Sequence, residues 1–220
     1  MTINTAPAAR VPAGAGNRFD PRTHSYFMNE VEVPGNTFTI QDNGFADTDY
    51  CTEEGRTRGS RVHLLTQFLD EGDYDPAEAR KYDLEGYVES WRKAKVRYGF
   101  EVVLCEEVMF HKVFRFGTIL DRVLNWDGFE TIAEIKSGAV ELSHPYQTGA
   151  QDLAAESELG RYARGLRRRG AFYLHKDGSE AQWKAHTDPS DRNYFLGMLS
   201  CTNLRVKHGI TALPGSAKGV

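Results

Sequence analysis

Two acidic residues and a lysine lie close together in the middle of the sequence, in two stretches that have the composition of neighbouring β-strands. The stretches are Phe116-Gly-Thr-Ile-Leu-Asp121-Arg and Thr131-Ile-Ala-Glu134-Ile-Lys136-Ser-Gly. Because strand side chains alternate between faces, Glu134 and Lys136 project to the same side, and Asp121 can meet them from the adjacent strand of a tight hairpin. We therefore expect two carboxylates and an ammonium group at one end of a sheet.

Hydrolysis of a phosphodiester would use all three groups. A Mg²⁺ or Mn²⁺ ion held by the carboxylates lowers the pKa of water and polarises the phosphate. Lys136 adds positive charge, and in its neutral form it can accept a proton from the attacking water. The alternative is an ordinary pair of surface strands, whose cross-strand ion pairs contribute only a few tenths of a kcal/mol.

A histidine is predicted on a helix that precedes these strands. The segment from Gly59 to Leu69 has apolar residues at helical spacing, and Ser60 is a plausible N-cap. His63 then lies on the first turn, where neutral imidazole can bind Mn²⁺. The alternative for an isolated histidine is a hydrogen-bonded packing residue.

Two glutamines are predicted on a helix that follows the strands. The segment from Ser143 to Glu156 contains a proline near its first turn and then good helix formers. Gln147 and Gln151 are four residues apart and share one face, from which their amides can reach a phosphate or the attacking water. The alternative is two solvated side chains on an amphipathic helix.

Together these residues resemble a nuclease family. They occur in the order and rough spacing of the RecB-like branch of the PD-(D/E)XK nuclease superfamily, and the match is closest to phage-type exonucleases. The amino-terminal segments Phe19-Asp-Pro-Arg-Thr-His24-Ser-Tyr26 and Glu32-Val-Pro34 are similar to the start of such proteins, so the similarity covers roughly residues 19–200. The residues that carry it are His63, Gly117-Thr-Ile-Leu-Asp121, Glu134-Ile-Lys136 and Gln147.

The resemblance implies a metal-dependent DNA nuclease, most similar to an exonuclease of DNA processing, recombination or repair, encoded by a phage or prophage. It implies Mg²⁺ or Mn²⁺ as the cofactor and DNA as the partner, and it leaves a homo-oligomer or a recombination partner protein open. The implied roles are metal binding by His63, Asp121, Glu134 and the main-chain carbonyl of Ile135, and catalysis by Asp121, Glu134, Lys136 and Gln147.

Two details of the family pattern stay open. A glutamate on the preceding strand is common in relatives, and Glu107 is the candidate for a supporting role, but Glu106 is adjacent and periodicity does not choose between opposite faces. Gln151 stands where the family has a tyrosine, so the role of that tyrosine is altered or shifted to Tyr146. A catalytically silent nucleic-acid-binding or assembly protein on the same scaffold is therefore the alternative function.

The order of the elements predicts an α+β fold. We expect helices over 60–71 and 76–98, strands over 101–110, 112–125 and 129–137, the glutamine helix, strands over 170–175 and 181–186, and a final helix from about residue 191. This order gives a mixed central sheet flanked by helices. The βββαβ succession is the one that a restriction-endonuclease-like core has, as the resemblance implies.

Length and composition limit the organisation of the chain. It has 220 residues, of which 40% are hydrophobic, so it can bury a core as one domain. We expect that domain over 19–210, between flexible tails at 1–18 and 211–220. No apolar run approaches the about 20 residues of a membrane span, so we expect a cytoplasmic protein, in the host cytoplasm if phage encoded, with no membrane partner.

The charge and the cysteines bear on the partners. The net charge of −4 does not exclude DNA, because affinity depends on local phosphate contacts. If the glutamine helix continues through Gly165, then Arg161, Arg164 and Arg168 form one basic face, and with Gln151 they are the predicted nucleic-acid contacts. The alternative is a solvated helix end. Because three scattered cysteines cannot hold a four-cysteine cluster, we expect no iron–sulfur cluster.

Overall fold

The computed structural model describes residues 16–46, 52–161 and 165–216. The strands are β1 (Asn17–Asp20), β2 (Ser25–Met28), β3 (Val31–Val33), β4 (Glu101–His111), β5 (Phe116–Trp126), β6 (Phe129–Lys136), β7 (Arg168–Tyr173) and β8 (Gln182–Ala185). The helices are α1 (Asn36–Asp42), α2 (Glu53–Glu71), α3 (Pro76–Lys81), α4 (Glu85–Tyr98), α5 (Ser143–Leu159) and α6 (Asp191–Lys207).

The larger sheet is mixed and has the order β4-β5-β6-β7-β8. Its first three strands form an antiparallel meander, and β7 runs parallel to β6 after the chain crosses over through α5. The β5–β6 pairing ends at Arg122 opposite Ala133, so Asp121 and Glu134 emerge together at that end of the hairpin. The predicted α+β class with a mixed sheet between helices is confirmed.

Helices cover both faces of this sheet because its strands are apolar on both sides. Side chains from α2 and α4, among them Val62 and Trp91, pack with Ile135 and Phe172 on one face. Side chains from α1, α5 and α6 pack with Ile132 and its neighbours on the other face. Strand β6 is therefore buried on both sides, which is the usual condition of a strand with a parallel neighbour.

The boundaries of α2 correct the prediction. The helix begins at Glu53, because the Thr52 hydroxyl caps it by accepting a hydrogen bond from Gly55 N at 3.0 Å. Ser60, the predicted N-cap, lies inside the helix and donates to the carbonyl of Arg56. His63 consequently lies in the middle of α2 and not on its first turn.

The predicted helix over 76–98 is two helices. The chain turns between α3 and α4 at Asp83, whose φ of 56° lies in the left-handed region and cannot continue an α-helix. Leu84 then precedes the first turn of α4 and is buried. The turn brings Tyr82 close to α2, where its ring contacts Arg61.

The amino-terminal segments form a second, three-stranded antiparallel sheet, β1-β2-β3. β1 begins at Asn17, inside the segment predicted as a tail. At the other end of the chain, Gly215 N donates to the Glu32 carboxylate at 2.7 Å, so the described start of the predicted carboxy-terminal tail contacts β3. None of the described helices combines the length and apolar content that crossing a lipid bilayer requires.

Candidate functional site

A histidine and two carboxylates converge where α2 meets the middle of β4 and β5. His63 Nδ1 lies 3.2 Å from Glu106 Oε1 and 3.5 Å from Asp121 Oδ2. One ligand atom from each residue lies within 4.8 Å of the others. Both carboxylates are buried, so their mutual repulsion is not screened by water.

Glu106 occupies the place that the sequence analysis favoured for Glu107. The φ of Glu106 is 49°, an uncommon conformation for a non-glycine residue, and its side chain is 2% exposed. Glu107 instead lines a surface groove with Val103 and Cys105. The structure therefore corrects the assignment: Glu106 joins His63, and Glu107 does not.

Glu134 and Lys136 form the second half of the site. Lys136 Nζ lies 2.6 Å from Glu134 Oε2 and donates to Gln147 Oε1 at 2.9 Å. Gln147 Nε2 in turn donates to Glu134 Oε1 at 2.9 Å. Gln147 thus joins the carboxylate and the ammonium in one closed hydrogen-bonded unit, which fixes the side-chain conformation of the lysine.

Gln151 was predicted to contact nucleic acid, and the structure corrects this. Its side chain is fully buried, and its amide nitrogen donates to the carbonyl of Ile119 and to Glu134 Oε1. It therefore orients Glu134 from behind. The main chain of Ile135 contacts Asp121: Ile135 N donates a hydrogen bond to Asp121 Oδ2 at 2.8 Å. Metal binding by Glu134 and by the Ile135 carbonyl stays a prediction.

Arg122 is a component that the sequence analysis missed. Its side chain is completely buried and donates to Asp70 Oδ2 at 2.7 Å, Glu106 Oε1 at 2.9 Å and the main-chain oxygen of Asp121 at 2.6 Å. Asp70 also accepts from Lys95 at 2.6 Å. Arg122 therefore links α2 to β4 and β5, and it holds Glu106 beside Asp121.

No family model and no curated protein matches this chain.

The predicted basic face of the glutamine helix does not form. α5 ends at Leu159, and Arg168 is the first residue of β7. Arg161 is exposed and lies 2.8 Å from Glu156, whereas Arg168 stacks on Phe129 with its guanidinium carbon 3.7 Å from the ring centroid. Gly165 interrupts the helical pattern with a φ of 107°. Arg164 lies outside the described residues.

Burial and the neighbouring charges together raise the pKa values of His63, Glu134 and Lys136. Burial alone would lower the pKa of His63, but the carboxylates of Asp121 and Glu106 outweigh it and raise the pKa to about 9. Burial, reinforced by Asp121, raises the pKa of Glu134 to about 7 although Lys136 opposes the shift. Without a cation, His63 therefore carries a proton between the two acids at neutral pH.

The protonated His63 predicts how the stability of the cation-free protein depends on pH. A raised pKa in the folded state stabilises the fold fully below the unfolded value of about 6.5, and this contribution is lost as the pH rises through about 9. We expect the urea midpoint, measured in EDTA, to fall between pH 7 and 9.

Two other histidines, His144 and His186, contribute little to the change in the urea midpoint between pH 7 and 9. Burial lowers the pKa of His144 to about 3 and that of His186 to about 4, so both are neutral above pH 7 in either state. The control is His63→Gln, whose urea midpoint should change much less over the same range. A wild-type midpoint that stays constant from pH 7 to 9 would contradict the assigned proton.

The donor set fits a hard divalent cation. Two carboxylate oxygens and one imidazole nitrogen are ligands that Mn²⁺ and Mg²⁺ accept, and in their absence the two acids are balanced by His63 and Arg122. A cation would take the place of the His63 proton, because both are held by the same oxygens. His63, Glu106 and Asp121 would hold the ion, and Glu134 with Lys136 would face it.

Proposed function

We propose that this protein is a Mg²⁺- or Mn²⁺-dependent deoxyribonuclease with a restriction-endonuclease-like core, and more specifically that it is an exonuclease. The observation that carries the proposal is the juxtaposition where the pairing of β5 with β6 ends. There an acid–imidazole cluster that suits a cation adjoins a buried carboxylate and a partly buried lysine whose positions Gln147 fixes. A protein that only binds nucleic acid does not need carboxylates that repel phosphate.

The residues divide the chemistry between them. A cation bound by His63, Glu106 and Asp121 would polarise the scissile phosphate and lower the pKa of water. Lys136 offers positive charge to the phosphate oxygens, because burial is outweighed by Glu134 and Asp121, which raise its pKa and keep it protonated in the cation-free protein. Its neutral form, which accepts a proton at Nζ, is favoured when a bound cation neutralises these acids. Gln147 orients Lys136 through its amide oxygen.

The fold agrees with the resemblance noted in the sequence. The elements β4, β5, β6, α5 and β7 follow one another in the order that a restriction-endonuclease-like core requires. The acids and the lysine lie at the end of the β5–β6 hairpin, as that resemblance implies. A role in DNA processing, recombination or repair is part of the same proposal.

The test is cleavage of end-labelled linear duplex DNA in Mg²⁺ or Mn²⁺. We expect loss of label that EDTA abolishes, and we expect Asp121→Asn to lower the rate by about 100-fold or more, because it removes a charged ligand. Asp127→Asn is the matched control, since Asp127 lies in the β5–β6 turn and its side chain is 73% exposed.

The alternative function makes a different prediction in the same assay. A catalytically silent nucleic-acid-binding protein would retain the label with every cation while still binding DNA. Cleavage that is equal in wild type and Asp121→Asn would also contradict the proposal, because it would arise from another site or a contaminant.

A further inference from the structure

A group of basic side chains borders the candidate site on the side of α2. The guanidinium carbon of Arg61 lies 3.9 Å from the centroid of the Tyr82 ring, and Lys81 Nζ lies 4.9 Å from the same centroid. Arg58 lies one turn earlier on α2, and its charge acts on Lys176. We call Arg58, Arg61, Lys81 and Lys176, with Tyr82 among them, the α2 basic patch.

The α2 basic patch lies at the same end of the sheet as the catalytic lysine. A Cβ atom added to Gly59 would lie 4.0 Å from Ser137 Oγ, so this turn of α2 passes close to the residue that follows Lys136. Lys176 follows β7, and Leu174 N donates to the carbonyl of Lys136 at 2.7 Å. The ends of β6 and β7 therefore place the patch beside the site.

The turn that carries Lys176 is held in place by α4. A Cβ atom on Gly86 would overlap the carbonyl oxygen of Lys176. In addition, His175 N donates to Ser90 Oγ at 3.1 Å. The position of Lys176 is thus fixed by the packing of this turn against α4.

The charge of the α2 basic patch is available for a ligand. Within the described ranges, neither Arg58 nor Arg61 forms an ion pair with a carboxylate, and Arg58 Nε is buried without a hydrogen-bond partner. Lys81 and Lys176 pair with the exposed Glu78 and Asp83, and exposed pairs of this kind are weak.

The arginines that the sequence analysis selected differ in this respect. Arg161 lies against Glu156 and Arg168 lies 4.0 Å from Asp127. The neighbouring arginines of β7 are also paired with acids, Arg167 with Glu130 and Arg169 with Asp191. Each of these four arginines has a carboxylate partner, which Arg58 and Arg61 lack among the described residues, although the exposed pairs of Arg161 and Arg168 are themselves weak.

We propose that the α2 basic patch binds the sugar–phosphate backbone of the DNA strand whose phosphodiester reaches Lys136. This inference rests on the proposed function and specifies where its substrate lies. Arginine and lysine supply most protein contacts to phosphate oxygens, and an aromatic ring among them suits a nucleic-acid surface. Phosphates flanking the scissile one would contact Arg58 and Arg61, which lie on the helix that carries His63.

The experiment compares two double variants that remove the same charge. Arg58→Ala/Arg61→Ala changes the patch, and Arg161→Ala/Arg168→Ala changes the paired arginines. Binding of a fluorescent DNA duplex is measured in EDTA over a series of salt concentrations, so that no cleavage occurs. Thermal unfolding of both variants checks that each is folded.

We expect the patch variant to bind DNA about tenfold or more weakly at low salt, and its slope of log K against log salt to be shallower by roughly 1.8, for two lost phosphate contacts. The Arg161/Arg168 variant should remain close to wild type. A patch variant with wild-type affinity, or an equal loss in both variants, would overturn the inference, and so would the absence of DNA binding by the wild type.

The outcome is separable from that of the proposed function. A wild-type protein that cuts DNA while its patch variant binds normally loses only this inference. A wild-type protein that binds DNA through the patch but never cuts it retains the inference and loses the proposed reaction.

Discussion

Replacement of Lys136 by methionine is expected to lower metal-dependent DNA cleavage by about 10²- to 10⁴-fold while leaving Mn²⁺ binding close to wild type. The side chain is 19% exposed and its ammonium group contacts Glu134 and Gln147. Methionine keeps the length of the side chain and removes the charge and the proton acceptor. The three donors at His63, Glu106 and Asp121 are left unchanged.

The measurement pairs a cleavage rate at saturating DNA with a calorimetric Mn²⁺ titration. Lys112→Met is the matched control, because the Lys112 side chain is 61% exposed and its ammonium group lies 3.5 Å from Glu158. Glu134→Gln in the same titration tests the predicted ligand: Mn²⁺ affinity falls if Glu134 binds the ion. Wild-type turnover in Lys136→Met would exclude the lysine from the chemistry.

The part of the site that the sequence predicted well depends on short-range geometry. Asp121, Glu134 and Lys136 lie on one hairpin, where alternation along two strands decides which side chains meet. Gln147 follows on the next helix, so a short connection limits where it can lie. These four residues lie close together in the sequence, and the local sequence pattern therefore largely determines how their side chains are placed.

The sequence-based predictions were wrong or incomplete where side chains do not alternate regularly along a strand, and where two interacting residues are far apart in the sequence. The pairing of β4 with β5 shifts between Val102 and Leu104, and Glu106 has a positive φ, so side chains do not alternate regularly along β4 and periodicity did not distinguish Glu106 from Glu107. Arg122 was missed because its partner Asp70 lies 52 residues away. A buried arginine is recognisable only when the element that neutralises it is known.

The start of α2 illustrates a different limit. Serine before an apolar run is a common helix start, and Ser60 satisfies that pattern. The helix nevertheless continues back to Thr52, whose hydroxyl caps it. The two additional turns have no strong apolar stripe, yet they carry Arg58 and place the α2 basic patch beside the site. Because the pattern at Ser60 predicts a later helix start, the surface for which we propose a role in DNA binding was not identified from the sequence.

Replacement of Arg122 by methionine is expected to lower the free energy of unfolding by about 3–5 kcal/mol. Arg122 is fully buried, and its removal leaves Asp70 and Glu106 without their shared cation. The acids are themselves buried, so water does not replace the lost partner. Urea unfolding in EDTA measures the loss, and Lys95→Met, which removes a partner of Asp70 that is 31% exposed, should cost much less.

Added Mn²⁺ distinguishes a role at the cation site from simple packing. In Arg122→Met, Glu106 and Asp121 have lost a positive neighbour, so a bound cation should raise the urea midpoint more in the variant than in the wild type. Arg122→Lys should fall between the two, because it keeps the charge but not the several hydrogen bonds. Equal stabilisation of wild type and variant by Mn²⁺ would mean that Arg122 supports the fold without influencing the acids that we assign to the cation.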